Sequence, residues 1–202
     1  MAFGEWPNHY WSNEHHQDGK TMAISADMIP ELQNLIDRDK INQCLLRYAR
    51  GVDRLDEELI LSAFHADAID FHAKGRCGSA KEFLGWWVPT QVQREVAQHY
   101  VTNGSIDVDG DMAHVESYFL ALMKTKGQDA TFLTGGRYTD RMEKRGGEWK
   151  IALRLVHIEW TVECKAVQLT GFSALGVGTR DRTDPSYVRP LEIPESLRDR
   201  PE

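Results

Sequence analysis

Two short segments of the chain carry residue types that can move protons. Tyr48-Ala-Arg-Gly-Val-Asp53 ends in a carboxylate, and His99-Tyr-Val-Thr-Asn103 opens with an imidazole. Eliminating water needs a base for an acidic C–H proton and an acid for the departing hydroxyl, and a histidine titrating near neutrality can serve as either. His99 is the candidate for that work. A carboxylate bonded to the other ring nitrogen would fix the tautomer and stabilise the imidazolium, which is the role open to Asp53. Tyr48 precedes Asp53 by five positions, about 500° around a helix and so some 140° from its face. The two line one cavity only if the helix bends or ends near Asp53. The tyrosine hydroxyl could then donate to a carbonyl or a leaving oxygen. Arg154 alternates with Ala152 and Val156 and shares their strand face, where it could stabilise an enolate or anchor a substrate carboxylate. His157 points to the other face.

Each residue also has an ordinary structural role open to it. Asp53 lies beside Arg50 and Arg54, and an aspartate at a helix end is usually solvated, paired or capping. His99 could be a satisfied structural histidine and Tyr48 a core tyrosine with a bonded hydroxyl. Phe71, Phe83, Trp86, Trp87, Phe119 and Tyr138 are core material first, and of these Tyr138, Trp86 and Phe119 are the expected walls of an apolar substrate pocket. Asp107, Asp109 and Asp111 form a solvated turn.

The motifs that are missing narrow the chemistry. The sequence has no GxxxxGK followed by Ser or Thr, no GxGxxG after a strand, no GxSxG and no HExxH, which removes support from nucleotide, flavin and standard hydrolase functions. There are eight histidines, but His15 and His16 lie in a polar arm and His65, His72 and His99 lack compact ligand spacing, so no metal and no cofactor are expected. A net charge of −7 opposes nucleic-acid binding, and no stretch approaches the length of a membrane span. Three scattered cysteines and a start without a basic, apolar leader suit a cytoplasmic protein.

These residues must be positioned by one domain, since 202 residues with 41% hydrophobic content can build a single sizeable core. Helical spacing of apolar residues over 27–52, after Asp27 as a cap, predicts a long amphipathic helix. A short helix over 57–64 and a short strand over 68–71 follow. Ser79 and Glu82 make a capping box for a third helix through Phe83, Trp86 and Trp87, with Pro89 as a break or kink. The period then changes to that of strands over 100–108, 113–123, 131–141 and 149–162. Asp109-Gly110 and Gly146-Gly147 supply the tight turns of a meandering antiparallel sheet. Helices first and hairpins after make an α+β fold. Residues 1–26 read as an arm, 27–163 as an α+β barrel domain, and 164–202 as an irregular Pro-rich extension.

The two segments together, with Gly135-Gly-Arg-Tyr138 and Trp149-Lys-Ile-Ala-Leu-Arg154, resemble the SnoaL-like branch of the nuclear transport factor 2-like superfamily over about residues 28–162. That branch contains scytalone dehydratase, the bile-acid 7α-dehydratase and the lindane dehydrochlorinase. The resemblance implies a cone of curved antiparallel sheet, closed by N-terminal helices around an apolar pocket. It also implies a cofactor-independent lyase with Asp53 and His99 as its dyad and Arg154 as a pocket arginine. Tyr48 stands where the dehydrochlorinase subgroup has a basic residue, which favours dehydration of a hydrophobic, steroid-like or polycyclic hydroxylated carbonyl compound. The alternatives are a ketosteroid-type isomerase or cyclase on the same cone, and a non-catalytic assembly module such as a dioxygenase β-type subunit. A homo-oligomer is expected, by resemblance a trimer with a dimer as the alternative, and the extension should matter for association before it matters for the dyad.

Overall fold

The structure, a computed structural model, describes residues 25–165 and 178–192. Residues 1–24 of the expected arm, with Trp6, Trp11, His15 and His16, fall outside the described residues, as do Phe172, Leu175 and Ile193 of the extension.

The first helix, α1, runs over Met28–Arg54. Ile41, Cys44, Leu45, Tyr48 and Val52 recur at helical spacing and form its buried stripe. Asp27 is at the cap position, but its side chain makes no capping bond. Of the apolar residues behind the helix prediction, Ile29, Leu35, Ile36 and Leu46 are exposed, so only the second half of the stripe packs into the core. The α2 helix covers Glu57–Ser62, capped by Asp56, whose carboxylate accepts from the Leu59 N–H at 3.1 Å. Strand β1 spans Phe64–Ala73 and β2 Arg76–Ser79, followed by α3 over Ala80–Gln91. The Ser79–Glu82 capping box is present in full. Pro89 does not break α3, which continues to Gln91. Both Pro89 and Gly85, four residues earlier, are on the exposed side, where the carbonyl left without a donor faces water and glycine leaves room for the ring.

Four long strands follow: β3 Arg94–Asp109, β4 Met112–Thr125, β5 Ala130–Arg145 and β6 Glu148–Lys165. Gly110, Gly146 and Gly147 take positive φ in two of the turns between them. The β3–β6 meander is antiparallel as expected, but the whole sheet is mixed: β1 runs parallel to β6, and the strand order is β2-β1-β6-β5-β4-β3. The long connection through β2, α3 and the meander is what allows this parallel pairing. The sheet ends at β2 and β3, so it is an open cone and not a closed barrel.

Helix α1 packs on β3 and β6, and α3 on β1 and β2. Ala113, Val115, Ser117, Phe119 and Ala121 turn inward along β4 while the residues between them face out. Tyr48, Phe64, Phe83, Phe119, Tyr138 and Trp149 join the core that fills the cone. Each such side chain contributes about 1.5–3 kcal/mol on burial.

Candidate active site

The end of α1 sets the position of Asp53. Gly51 is there because a Cβ would meet Ile60 of α2 at 2.8 Å. The helix stops with Leu55 in the left-handed region (φ 52), the Leu55 N–H donating to the Val52 carbonyl and the Asp56 N–H to the Gly51 carbonyl. This is the 6→1 and 5→2 closure usually made with glycine. Asp53 therefore sits in the last turn, with its carboxylate free to leave the helix toward β3.

On β3, His99 shares the inward-leaning face with the buried Ala97. Its backbone N–H lies 3.0 Å from both Asp53 carboxylate oxygens, and its Nδ1 is 2.7 Å from Oδ1. The side chains are 11% and 16% exposed, so the pair is largely withdrawn from water without being sealed. An ionised carboxylate only accepts, so Nδ1 carries a proton, and in the neutral ring the lone pair is on Nε2. Of the ordinary roles for Asp53, pairing with Arg50 or Arg54 does not occur. Arg54 pairs with Asp184 and Arg50 lies over the Tyr187 ring.

Tyr48 faces a different wall of the cone, as its angle on the helix requires. It stands edge-on to Phe64 and Tyr138, and Tyr138 stacks on Phe119 at 4.5 Å between centroids. Arg154 lies among these rings, its guanidinium 4.3 Å from the Tyr48 centroid and 4.1 Å from that of Tyr138. It is fully buried and bound twice to Asp140, Nε at 2.8 Å and Nη2 at 2.6 Å, which leaves Nη1 as the guanidinium nitrogen without a partner. Burial works against the guanidinium charge, but the Asp140 carboxylate beside it outweighs that and raises the Arg154 pKa. Burial also raises Tyr48 well above the ordinary tyrosine value and raises Tyr138. Both hydroxyls thus stay protonated at neutral pH.

Two clusters thus form, Asp53 with His99, and Tyr48 with Arg154, Tyr138 and Phe119. Trp86 joins neither. It packs edge-on against His72 and Phe83 under Arg76, in the corner of β1, β2 and α3. A surface cleft of about 360 Å³ lies between Lys40, Arg47, Ser62, Trp149 and Lys150 and contains none of the candidate residues.

Asp140 and Asp70 are neighbours of the candidate residues that sequence reasoning missed. Asp140 lies two residues after Tyr138 on one strand face, a signal that could have been read. Asp70 is opposite Arg154 in the parallel β1–β6 register, hydrogen-bonds His72 at 3.2 Å through Oδ1, and has a buried, unpaired Oδ2. Among the described residues no group of three or more His, Cys, Asp or Glu is arranged to hold a metal ion, and no helix is long and apolar enough to cross a membrane.

Solved structures share this architecture. A scytalone dehydratase-like protein from Novosphingobium aromaticivorans DSM 12444 superposes with a TM-score of 0.62 at 21% identity, over 70% of this chain and 97% of that one. LinA superposes at 0.63 and 20% identity, over 69% of this chain and 97% of that one. A hexachlorocyclohexane dehydrochlorinase of LinA type 3 from Novosphingobium barchaimii LL02 gives 0.60 and 20%, over 69% and 98%. These are likenesses of fold. No curated protein matches the chain. The SnoaL-like domain model matches residues 33–154, more than half of the sequence, and with it the α1 end, β3 and the β5–β6 hairpin that carry both clusters: the chain belongs to the SnoaL-like domain family.

Proposed function

We propose that the protein is a cofactor-independent lyase, a dehydratase acting on a hydrophobic, steroid-like or polycyclic compound with a hydroxyl β to a carbonyl. The observation that carries this reading is the 2.7 Å contact between His99 Nδ1 and Asp53, which leaves Nε2 as the ring atom open to a substrate. His99 Nε2 takes the proton from the carbon beside the carbonyl, and the electron pair moves into the enolate. Asp53 stabilises the imidazolium so formed. The enolate then re-forms the carbonyl, the C–O bond breaks, and the imidazolium returns its proton to the departing hydroxyl. Water and an α,β-unsaturated carbonyl compound leave. Tyr48, held protonated by burial, donates to the carbonyl or the leaving oxygen. Arg154 has its charge matched by Asp140, which suits its free Nη1 to a carbonyl oxygen better than to a full carboxylate. Tyr138 and Phe119 supply the apolar wall.

The same groups could run an allylic isomerisation, which also begins with a proton beside a carbonyl. Product mass separates the two, since only elimination loses water. A panel of hydroxylated polycyclic ketones incubated with the protein and followed by mass spectrometry tests the proposal. Loss of water that persists after exhaustive chelation and dialysis is the expected result. Activity that vanishes on chelation and returns with one divalent ion would replace the dyad by a metal-assisted scheme.

In this reading the protein works in the cytoplasm as a homo-oligomer, a trimer before a dimer. Support comes from the outer sheet face, where Tyr118, Trp160 and Val162 are exposed on β4 and β6.

A further inference from the structure

The segment after the sheet passes over the end of α1. Residues 178–192 carry a short 3₁₀ turn, Pro185–Tyr187, and fasten to α1 and α2. Arg182 reaches Asp56 at 3.0 Å and Glu58 at 2.7 Å, the Tyr187 hydroxyl donates to Asp56 at 2.8 Å, and Arg54 meets Asp184 at 3.4 Å. One side chain of this strap goes further in. Arg180 donates from Nε to the Asp53 carbonyl at 3.1 Å and from Nη2 to the Val52 carbonyl at 3.3 Å. Its Nη1 is shared between the Gln91 carbonyl at 2.8 Å and the Arg94 carbonyl at 3.3 Å.

These four acceptors belong to three elements: the last turn of α1, the last residue of α3 and the first residue of β3. Helix C-termini leave carbonyls without partners and carry partial negative charge, so a cation that serves two of them at once is well placed. Asp53 is on the first of these elements and His99 is five residues into the third. We infer that Arg180 is a positioning residue of the active site, a clamp from the C-terminal strap that holds the end of α1 against the start of β3 and so sets the Asp53–His99 contact. Only the planar guanidinium can bridge acceptors in several directions, and lysine would reach one or two. The strap lies beyond the matched domain, so this chain completes its dyad with a segment of its own.

The inference rests on the dyad reading, and its test is made on the full chain without substrate. Two signals report the contact: the downfield proton resonance of His99 Nδ1, and hydrogen exchange of the His99 amide, which donates to Asp53. Asp53→Asn calibrates both, and Arg182→Ala loosens the strap without touching the clamp. Arg180→Met should lose the resonance and speed exchange at His99 by about tenfold or more, while amides of Ile106 and Val115 stay as protected as before. Arg182→Ala should leave both signals in place. Arg180→Lys should weaken them part-way, and it decides the matter if Arg180→Met does not fold. Unchanged signals in a folded Arg180 variant would overturn the clamp and leave the dyad standing. Unchanged signals in Asp53→Asn would overturn the dyad reading, and the clamp with it.

Discussion

With Asp140 removed, the fully buried Arg154 guanidinium would lose the carboxylate bound to it. Asp140→Ala should therefore cost about 3–5 kcal/mol in stability, read from urea unfolding, whereas Arg154→Met with Asp140→Leu should recover most of that loss. Tyr48 tests the donor side of the mechanism. Tyr48→Phe should lower turnover by up to about 10²-fold. Burial raises the Tyr48 pKa, so the hydroxyl is protonated throughout the neutral and mildly alkaline range and the loss should be the same across it. A loss confined to alkaline pH would mean that Tyr48 acts as a base. Asp53, His99, Tyr48 and Arg154 stand out in the sequence as candidates, because their residue types suit proton transfer and charge binding and their motifs resemble those of the SnoaL-like branch. Asp140 carries a weaker signal: it shares a strand face with Tyr138, but only the β5–β6 register sets it opposite Arg154.

Elements were legible where their period was regular. The helices and the β3–β6 meander emerged, with strands longer than expected because Arg94, Glu95 and Gln98 carry polar side chains on a half-exposed face. The β2 strand, Arg-Cys-Gly-Ser, has no alternation to find, and the parallel placement of β1 is a property of the crossover. Gly135 and Gly136 show how the sheet bends. A register shift falls between them against β6, the Trp160 ring lies on Gly135, and a Cβ at Gly136 would run into the His157 carbonyl. Gly136→Ala should destabilise by about 1–3 kcal/mol in denaturant unfolding. The strap has a pH dependence of its own. Burial would raise the Asp56 pKa, but bonds from Arg182, Tyr187 and the Leu59 N–H overcome it and hold the carboxyl below its ordinary value. Stability from this group is complete above the unfolded pKa of about 3.9 and is lost as pH falls through the folded value. Hydrogen exchange of the strap amides should therefore rise in acid below about pH 4 before the sheet opens, and simultaneous opening would contradict this.

At the scale of the whole molecule, the exposed apolar residues of β4 and β6 predict association. Light scattering at micromolar concentration should report an oligomer, and Trp160→Glu should shift it toward monomer. The described part of the extension lies on its own chain, where Arg180 bonds the Asp53 carbonyl. Nothing in its composition could have shown this, because the contact joins residues 127 positions apart through backbone carbonyls. The proposed turnover rests on Asp53 and His99. The most direct measurement is the rate of water elimination from an accepted hydroxy-ketone by wild type, His99→Ala and Asp53→Asn, each shown by circular dichroism to be folded. The account predicts a loss of roughly 10²–10⁴-fold for His99→Ala and a smaller loss for Asp53→Asn, whose amide keeps some orientation of the ring but stabilises the imidazolium poorly. A folded His99→Ala protein with near wild-type turnover would contradict it.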